Sequence, residues 1–391
     1  MIQVEKIEKK FRELFGDEPL LVRSPGRMNL IGEHTDYNMG FVLPAAIDKA
    51  VYFAIAPRSD KKCKLFAADL NDEFDFSLTN QVKSEKGWPN YLMGVVDQLQ
   101  KSGYEVGGFN CVFGGDIPIG AGLSSSAAIE AGLAFSLNKL FNLQIDKMSL
   151  VKLAQKAENE FVGVNCGIMD QFINIFGECG NALKIDCRSL EYELIPFDYE
   201  NIAIVFFNTN VSHSLASSEY NLRRMECARG VEIIRKEYSF VNSLRDVSHE
   251  LLDAFKSKME SVTYQRCKYA IEENERLLKG CETLKVHDLA AFGKLMYQTH
   301  EGLSRDYEVS CEELDFLVEQ TKNISAVFGS RMMGGGFGGC TINLIENESV
   351  EPVTKLISEK YKQKFNREAT VYITRSSAGT NIINAKQHAA V

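Results

Sequence analysis

The spacing of apolar positions along the chain switches repeatedly between helical and extended periods. Residues 1–15 place Val4, Ile7, Phe11 and Leu14 on one face of a helix and charge on the other. Residues 42–57 and 64–76 read as strands, with alternation through Val51-Tyr52-Phe53-Ala54-Ile55 and Phe74-Asp75-Phe76. A helix is predicted over 91–100, a short apolar strand over 109–113, and an Ala- and Leu-rich helix without proline over 129–140. At about 100° per residue, Val151, Ala154, Ala157 and Phe161 share one face of a helix over 150–162. Glu158 falls on that same apolar face. Residues 202–207 read as a buried strand that opens a second domain, and residues 211–220 lead into a long helix carrying Arg223 and Arg224. Residues 261–322 are mostly helical, and the chain ends in a strand at 341–345, a helix at 350–365 and a strand at 370–374. That ending, with the earlier strand at 202–207, predicts a ferredoxin-like second domain.

Length then bounds the architecture: 391 residues suffice for two domains with their own cores. A content of 45% hydrophobic and 25% charged residues is that of an ordinary soluble globular protein. The formal net charge of −9 argues against nucleic acid or an anionic membrane as the main partner. Ten cysteines without C-x-x-C spacing and only six histidines suggest no zinc site. The amphipathic first segment is neither signal peptide nor membrane span, no apolar run is long enough to cross a bilayer, and free thiols point to the cytoplasm.

The chemistry concentrates first at Gly114-Gly115-Asp116-Ile117-Pro118-Ile119-Gly120-Ala121-Gly122-Leu123-Ser124-Ser125-Ser126-Ala127-Ala128. A glycine-rich turn between a strand and a helix N-terminus presents unpaired amides and the positive end of the helix dipole to an anion. Gly120 and Gly122 let the backbone approach phosphate oxygens, and the serines add hydroxyls for phosphate or Mg2+. The alternative is an ordinary strand-to-helix turn with serine caps. No lysine follows the glycines as in a Walker A loop, the dinucleotide spacing lacks its third glycine, and the protein-kinase H-R-D and D-F-G pair is missing. A second cluster, Glu33, His34 and Asp36, sits on a loop bounded by Pro25-Gly26 and Asn38-Met39-Gly40. Two carboxylates and an imidazole at close range suit a polyhydroxylated ligand; a solvated turn and a metal site are the other readings. Asp170, flanked by apolar residues, calls for a partner or backbone amides to cap. Inward-facing Glu158 calls for a cation, either Lys or Arg or a phosphate-bound Mg2+. The glycine-rich run Arg331-Met332-Met333-Gly334-Gly335-Gly336-Phe337-Gly338-Gly339-Cys340-Thr341, with its internal Phe and following strand, fits a tight loop against the phosphate site rather than a flexible linker.

The loop Pro118-x-Gly120-x-Gly122-Leu123-Ser124-Ser125-Ser126-Ala127 resembles the phosphate loop of the GHMP small-molecule kinases. Gly26-Arg27-x-Asn29-Leu30-Ile31-Gly32-Glu33-His34-Thr35-Asp36-Tyr37-Asn38 resembles the galactokinase signature over its whole length, and Cys166-Gly167-Ile168-Met169-Asp170-Gln171-Phe172 and the run from Arg331 are similar to further motifs of that family. The resemblance implies an α+β, two-domain GHMP kinase fold: a ribosomal-protein-S5-like N-terminal domain over 1–195, a ferredoxin-like C-terminal domain over 196–391 whose last residues pack back on the first, and an active site in the cleft between them. It implies ATP-dependent phosphorylation of α-D-galactose at O1, with Asp170 and Arg27 as catalytic residues and Glu33, His34, Asp36, Gly167 and Tyr220 at the sugar. Trp88 and residues Gly120, Ala121, Gly122, Leu123, Ser124, Ser125 and Ser126 are expected at the nucleotide, and Ser126 (or Ser125) with Glu158 at Mg2+. Cys166 is expected to be a small core residue. A kinase for N-acetylgalactosamine or arabinose, or a sugar sensor without turnover, remains as an alternative. The expected partners are galactose and ATP, with no nucleic acid or membrane and a monomeric chain.

Overall fold

The computed structural model describes residues 2–118, 121–211 and 216–383. The first half contains α1 (Ile2–Phe15), β1 (Leu20–Asn29), β2 (Phe41–Val42), β3 (Pro44–Pro57), β4 (Lys62–Ala67), β5 (Asp72–Ser77), α2 (Pro89–Lys101), β6 (Phe109–Gly115), α3 (Ser125–Leu140), α4 (Lys147–Lys156), α5 (Met169–Phe176), β7 (Asn181–Asp186) and β8 (Tyr192–Pro196). The second contains β9 (Ile202–Asn208), α6 (Ala216–Arg235), α7 (His249–Ala254), α8 (Ser261–Lys285), α9 (Leu289–Arg305), α10 (Glu312–Thr321), β10 (Val327–Met332), β11 (Cys340–Glu346), α11 (Val350–Phe365), β12 (Thr370–Thr374) and β13 (Asn381–Ile382).

A six-stranded sheet, β13-β1-β3-β6-β4-β5, organises the first half. Its long central strand β3 is buried over most of its length because helices cover both faces. On one face Val4, Ile7 and Phe11 of α1 pack on Ala54, Ala56, Phe66 and Val112. On the other, Leu92, Val96, Leu133 and Leu137 of α2 and α3 close over Phe53 and Phe113. Leu14, expected on the buried face of α1, is 41% exposed. It lies in the last turn of the helix, where Phe15 rather than Leu14 packs on the core. A four-stranded antiparallel sheet, β10-β11-β9-β12, organises the second half. Helices α10 and α11 lie on one face through Leu317, Val353 and Ile357, and α8 and α9 on the other through Leu277, Cys281 and Phe292. Strands β2, β7 and β8 form a third, small sheet.

Three sequence expectations are corrected here. Residues 64–76 are not one extended unit but the hairpin β4–β5, turning at Leu70 and Asn71, where Asn71 takes a left-handed φ of 47°. The helix expected over 129–140 begins at Ser125, so its N-terminal turn belongs to the serine run. The helix expected over 150–162 starts at Lys147, capped by Asp146, and widens into a π-turn at Ala157–Val162.

Candidate active site

Strand β1 leads into the site. Pro25 and Gly26, read from sequence as punctuation, lie inside it at a bulge, where the register against β3 shifts between Pro25 and Arg27. Gly26 is required because a Cβ there would stand 2.9 Å from the Leu123 carbonyl oxygen. The close approach lets the Arg27 amide donate to that oxygen at 3.2 Å, so the strand props the glycine-rich loop from below. Gly122 and Ser124 both have positive φ, 72° and 58°, and turn the chain into α3. The N-cap residue Ser124 does not cap α3 with its side chain: its hydroxyl donates to Asp170 Oδ2 instead, and no other cap is found among the described residues. The first amides of α3 therefore remain available to an anion. Gly120 lies outside the described residues; Ala121, Leu123, Ser125 and Ser126 continue the loop around Gly122 and Ser124.

Arg27 is buried and meets Asp170 in a fork, Nε to Oδ1 at 2.8 Å and Nη2 to Oδ2 at 3.0 Å, while Nη1 donates to the Gly122 carbonyl. Asp170 is at the start of α5 and its side chain is 27% exposed. It is thus neither fully buried, as its apolar neighbours suggested, nor a cap for backbone amides. Its open edge faces a cavity of about 510 Å3 lined by Arg27, Glu33, His34, Asp36, Gly167, Asp170, Tyr220, Gly334 and Gly335.

Every residue expected at the sugar is therefore on one cavity wall. His34, in a left-handed conformation with φ 62°, receives or donates at Nδ1 to the Tyr37 hydroxyl at 2.7 Å. Its Nε2 is buried beside the Gly335 backbone without a hydrogen-bond partner of good geometry among the described residues. Burial lowers the His34 pKa to about 4, so the ring is neutral at pH 7. Burial and the neighbouring Asp170 raise Asp36 to about 6. Gly167 faces Asp36 so closely that a Cβ would collide with Asp36 Oδ2. Tyr220 packs on His34 and Tyr37 at ring-centroid distances of 5.4 and 5.2 Å. Glu33, 4% exposed, is ion-paired at Oε2 to Arg331 Nη1 at 2.8 Å.

At the phosphate-loop side, Glu158 points inward from the π-turn and is 6% exposed. Burial raises its pKa, and hydrogen bonds from Cys166, Ser126 and Gln171 oppose the rise. Gln171 Nε2 donates to Glu158 Oε2 at 2.7 Å, and Cys166 Sγ at 3.2 Å. Cys166 is thus a partner of this carboxylate and half-buried rather than plain core. No Lys or Arg pairs with Glu158 among the described residues, which removes the salt-bridge reading. Ser126 and Glu158 offer two hard oxygen donors side by side, a set that suits Mg2+ retaining water and phosphate ligands. A separate, more apolar cavity of about 290 Å3 is lined by Trp88, Tyr91, Phe113, Leu70, Ser125 and Ser126, with the Trp88 indole N–H held by Asp72 at 3.0 Å.

Sequence reasoning missed Glu130, Gln171, Tyr37 and the cavity-lining role of Gly334 and Gly335. Glu130 stands four residues after Ser126 on α3, a helical spacing that could have marked it. It is fully buried, and burial with Glu158 nearby holds its pKa well above the usual range. The glycine run does abut the phosphate loop, as expected: a Cβ on Gly334 would be 3.6 Å from the Gly122 carbonyl oxygen.

Comparison with known proteins gives a consistent result. The galactokinase galactose-binding signature matches residues 9–57, the GHMP kinase N-terminal domain 90–178 and the GHMP kinase C-terminal domain 277–363. The chain is 42% identical over 380 residues to a galactokinase of Roseiflexus sp., covering 97% of each, and 41% identical over 362 residues to one of Thermosipho africanus, covering 93% and 99%. The crystal structure of Lactococcus lactis galactokinase complexed with galactose superposes with a TM-score of 0.93 at 36% identity, over 97% of this chain and 100% of that one.

Proposed function

The chain belongs to the galactokinase family of the GHMP kinases, and on that premise we propose that the cleft just described is where it works. It is an ATP-dependent sugar 1-kinase that converts α-D-galactose and ATP to galactose 1-phosphate and ADP. The observation that carries the site assignment is the convergence of Glu33, His34, Asp36 and Tyr220 with the Arg27–Asp170 pair on one cavity whose other edge is the glycine-rich loop.

Glu33, His34 and Asp36 bind the sugar's far hydroxyls, with the bare Nε2 of His34 supplying a group that a hydroxyl satisfies. The Gly167 backbone and Tyr220 close the wall. Asp170 accepts the proton of the O1 hydroxyl or orients it, and Arg27 fixes the carboxylate and offsets charge on the transferred group. The uncapped amides of the loop up to Ser126 hold phosphate oxygens, and the Trp88 cavity takes adenine. Ser126 and Glu158 would hold Mg2+, which when bound neutralises phosphate charge. The ten cysteines carry no disulfide, in keeping with a cytoplasmic place of work.

A coupled ADP-release assay over a panel of sugars tests this. Galactose is expected to turn over at least about tenfold more efficiently than glucose, because the epimer leaves buried polar groups unpaired at a cost of roughly 1–3 kcal/mol. Equal efficiency would reject the sugar assignment.

A further inference from the structure

Arg331 has no assigned part in the site, yet it is a fully buried cation with every donor arm committed. It is the penultimate residue of β10, in the second half of the chain, and reaches across to the sugar loop of the first. Nε donates to the Leu30 carbonyl at 2.8 Å, Nη2 to the Asn29 carbonyl, and Nη1 to its neighbour Met332 at 2.5 Å. Nη1 also faces Glu33 Oε2 at 2.8 Å. Asn29 and Leu30 are the residues at which β1 gives way to the loop holding Glu33, His34 and Asp36. Two residues beyond Met332 the chain itself forms the cavity wall at Gly334 and Gly335.

We propose that Arg331 is a positioning residue for the sugar: its guanidinium sets the Glu33 carboxylate and the entry of the sugar loop against the opposite wall. The proposal rests on the reading of this cavity as the sugar site. A planar fork is what the task needs, since Nε and Nη2 serve the Leu30 and Asn29 carbonyls while Nη1 keeps its charge 2.8 Å from Glu33 Oε2, three places that the one nitrogen of an ammonium serves poorly. The phosphate loop is propped instead through Arg27, Gly122 and Leu123, none of which Arg331 contacts by hydrogen bond or ion pair. Disturbing Arg331 should therefore act on galactose and spare ATP.

The test compares wild type with Arg331→Lys, and with Glu33→Gln alone and combined with Arg331→Lys. Steady-state kinetics, galactose titration by calorimetry and melting temperature are measured on each. Arg331→Lys keeps the buried charge and limits the risk of unfolding. The expected result is a rise of about tenfold or more in KM and Kd for galactose, with KM for ATP and kcat at saturating galactose changed less than about twofold. In the double variant the loss should be less than the product of the two single losses, because both act through one contact. Unchanged galactose affinity overturns the proposal. So does a parallel rise of both KM values with a fall in melting temperature, or a variant that fails to fold, since Arg331 would then be structural. If wild-type protein does not bind galactose, the sugar reading itself fails, and the two failures are distinguishable.

Discussion

At the scale of single residues, Asp36 and His34 of the sugar wall are shifted in opposite senses. Asp36 is raised to about 6, so the folded protein holds its proton more tightly than the unfolded chain, and this group makes the fold less stable as pH rises from about 4 to 6. His34 is lowered to about 4, so it makes the fold more stable over the same climb. Their stability contributions nearly cancel in that window, but ligand binding has no such compensation. A sugar hydroxyl donates to ionised Asp36. Galactose affinity should therefore fall as pH drops through about 6, and Asp36→Asn should remove that inflection; calorimetric titration from pH 5 to 8 reads it. Asp170→Asn keeps the shape but loses the charge, so kcat should fall at least about a hundredfold if the carboxylate takes or orients the proton. Because the variant leaves buried Arg27 without its ion pair, a stability loss of about 1–3 kcal/mol should accompany it. Turnover near that of wild type would remove Asp170 from the mechanism. Both residues were legible in sequence as clustered or isolated polar groups in apolar surroundings. The pairing of Arg27 with Asp170 was not, since 143 positions separate them and no local pattern spans such a distance.

At the scale of elements, local periodicity succeeded wherever one face of a segment met one core. Helix α11 and strand β12 fall where the apolar spacing puts them. It failed where function bends the rule. Strand β1 went unread because Pro25 and Gly26 signal a break; they sit at its bulge, and Gly26 is there to admit the Leu123 backbone. Strands β7 and β8, which build a small sheet with β2, also went unread. The π-turn at Ala157–Val162 also departs from a regular wheel, yet it begins only after Val151 and Ala154 have set the buried face, so Glu158 still points inward. That orientation is the basis of a prediction: Glu158→Gln should raise the Mg2+ concentration for half-maximal rate while galactose binding, followed by calorimetry, is retained. An unchanged Mg2+ dependence would leave Glu158 as a structural acceptor for Gln171 and Cys166.

At the scale of the whole molecule, the chain returns to its beginning. Strand β13 pairs with β1, and Thr380 sits among Ser24 and Asn174 with its hydroxyl 2.5 Å from Asn174 Oδ1. Calorimetry should show one unfolding transition for both halves, and Thr380→Val should lower it by about 1–3 kcal/mol without splitting it. Two resolved transitions would mean the halves fold independently. The sugar loop is bound to the second half just as firmly. From α8, Glu273 accepts the Gly32 amide at 2.7 Å, Asn274 accepts the Phe41 amide at 2.8 Å, and the Tyr269 hydroxyl donates to the Glu33 carbonyl at 3.0 Å. The segment that carries the recognition chemistry is therefore not a portable cassette. Transplanted alone onto another kinase of this architecture, residues 26–38 would bring every sugar ligand of the loop but neither the α8 partners nor Arg331, which hold it from the second half, so substrate choice can be traded between such enzymes only by exchanging the loop together with those supports.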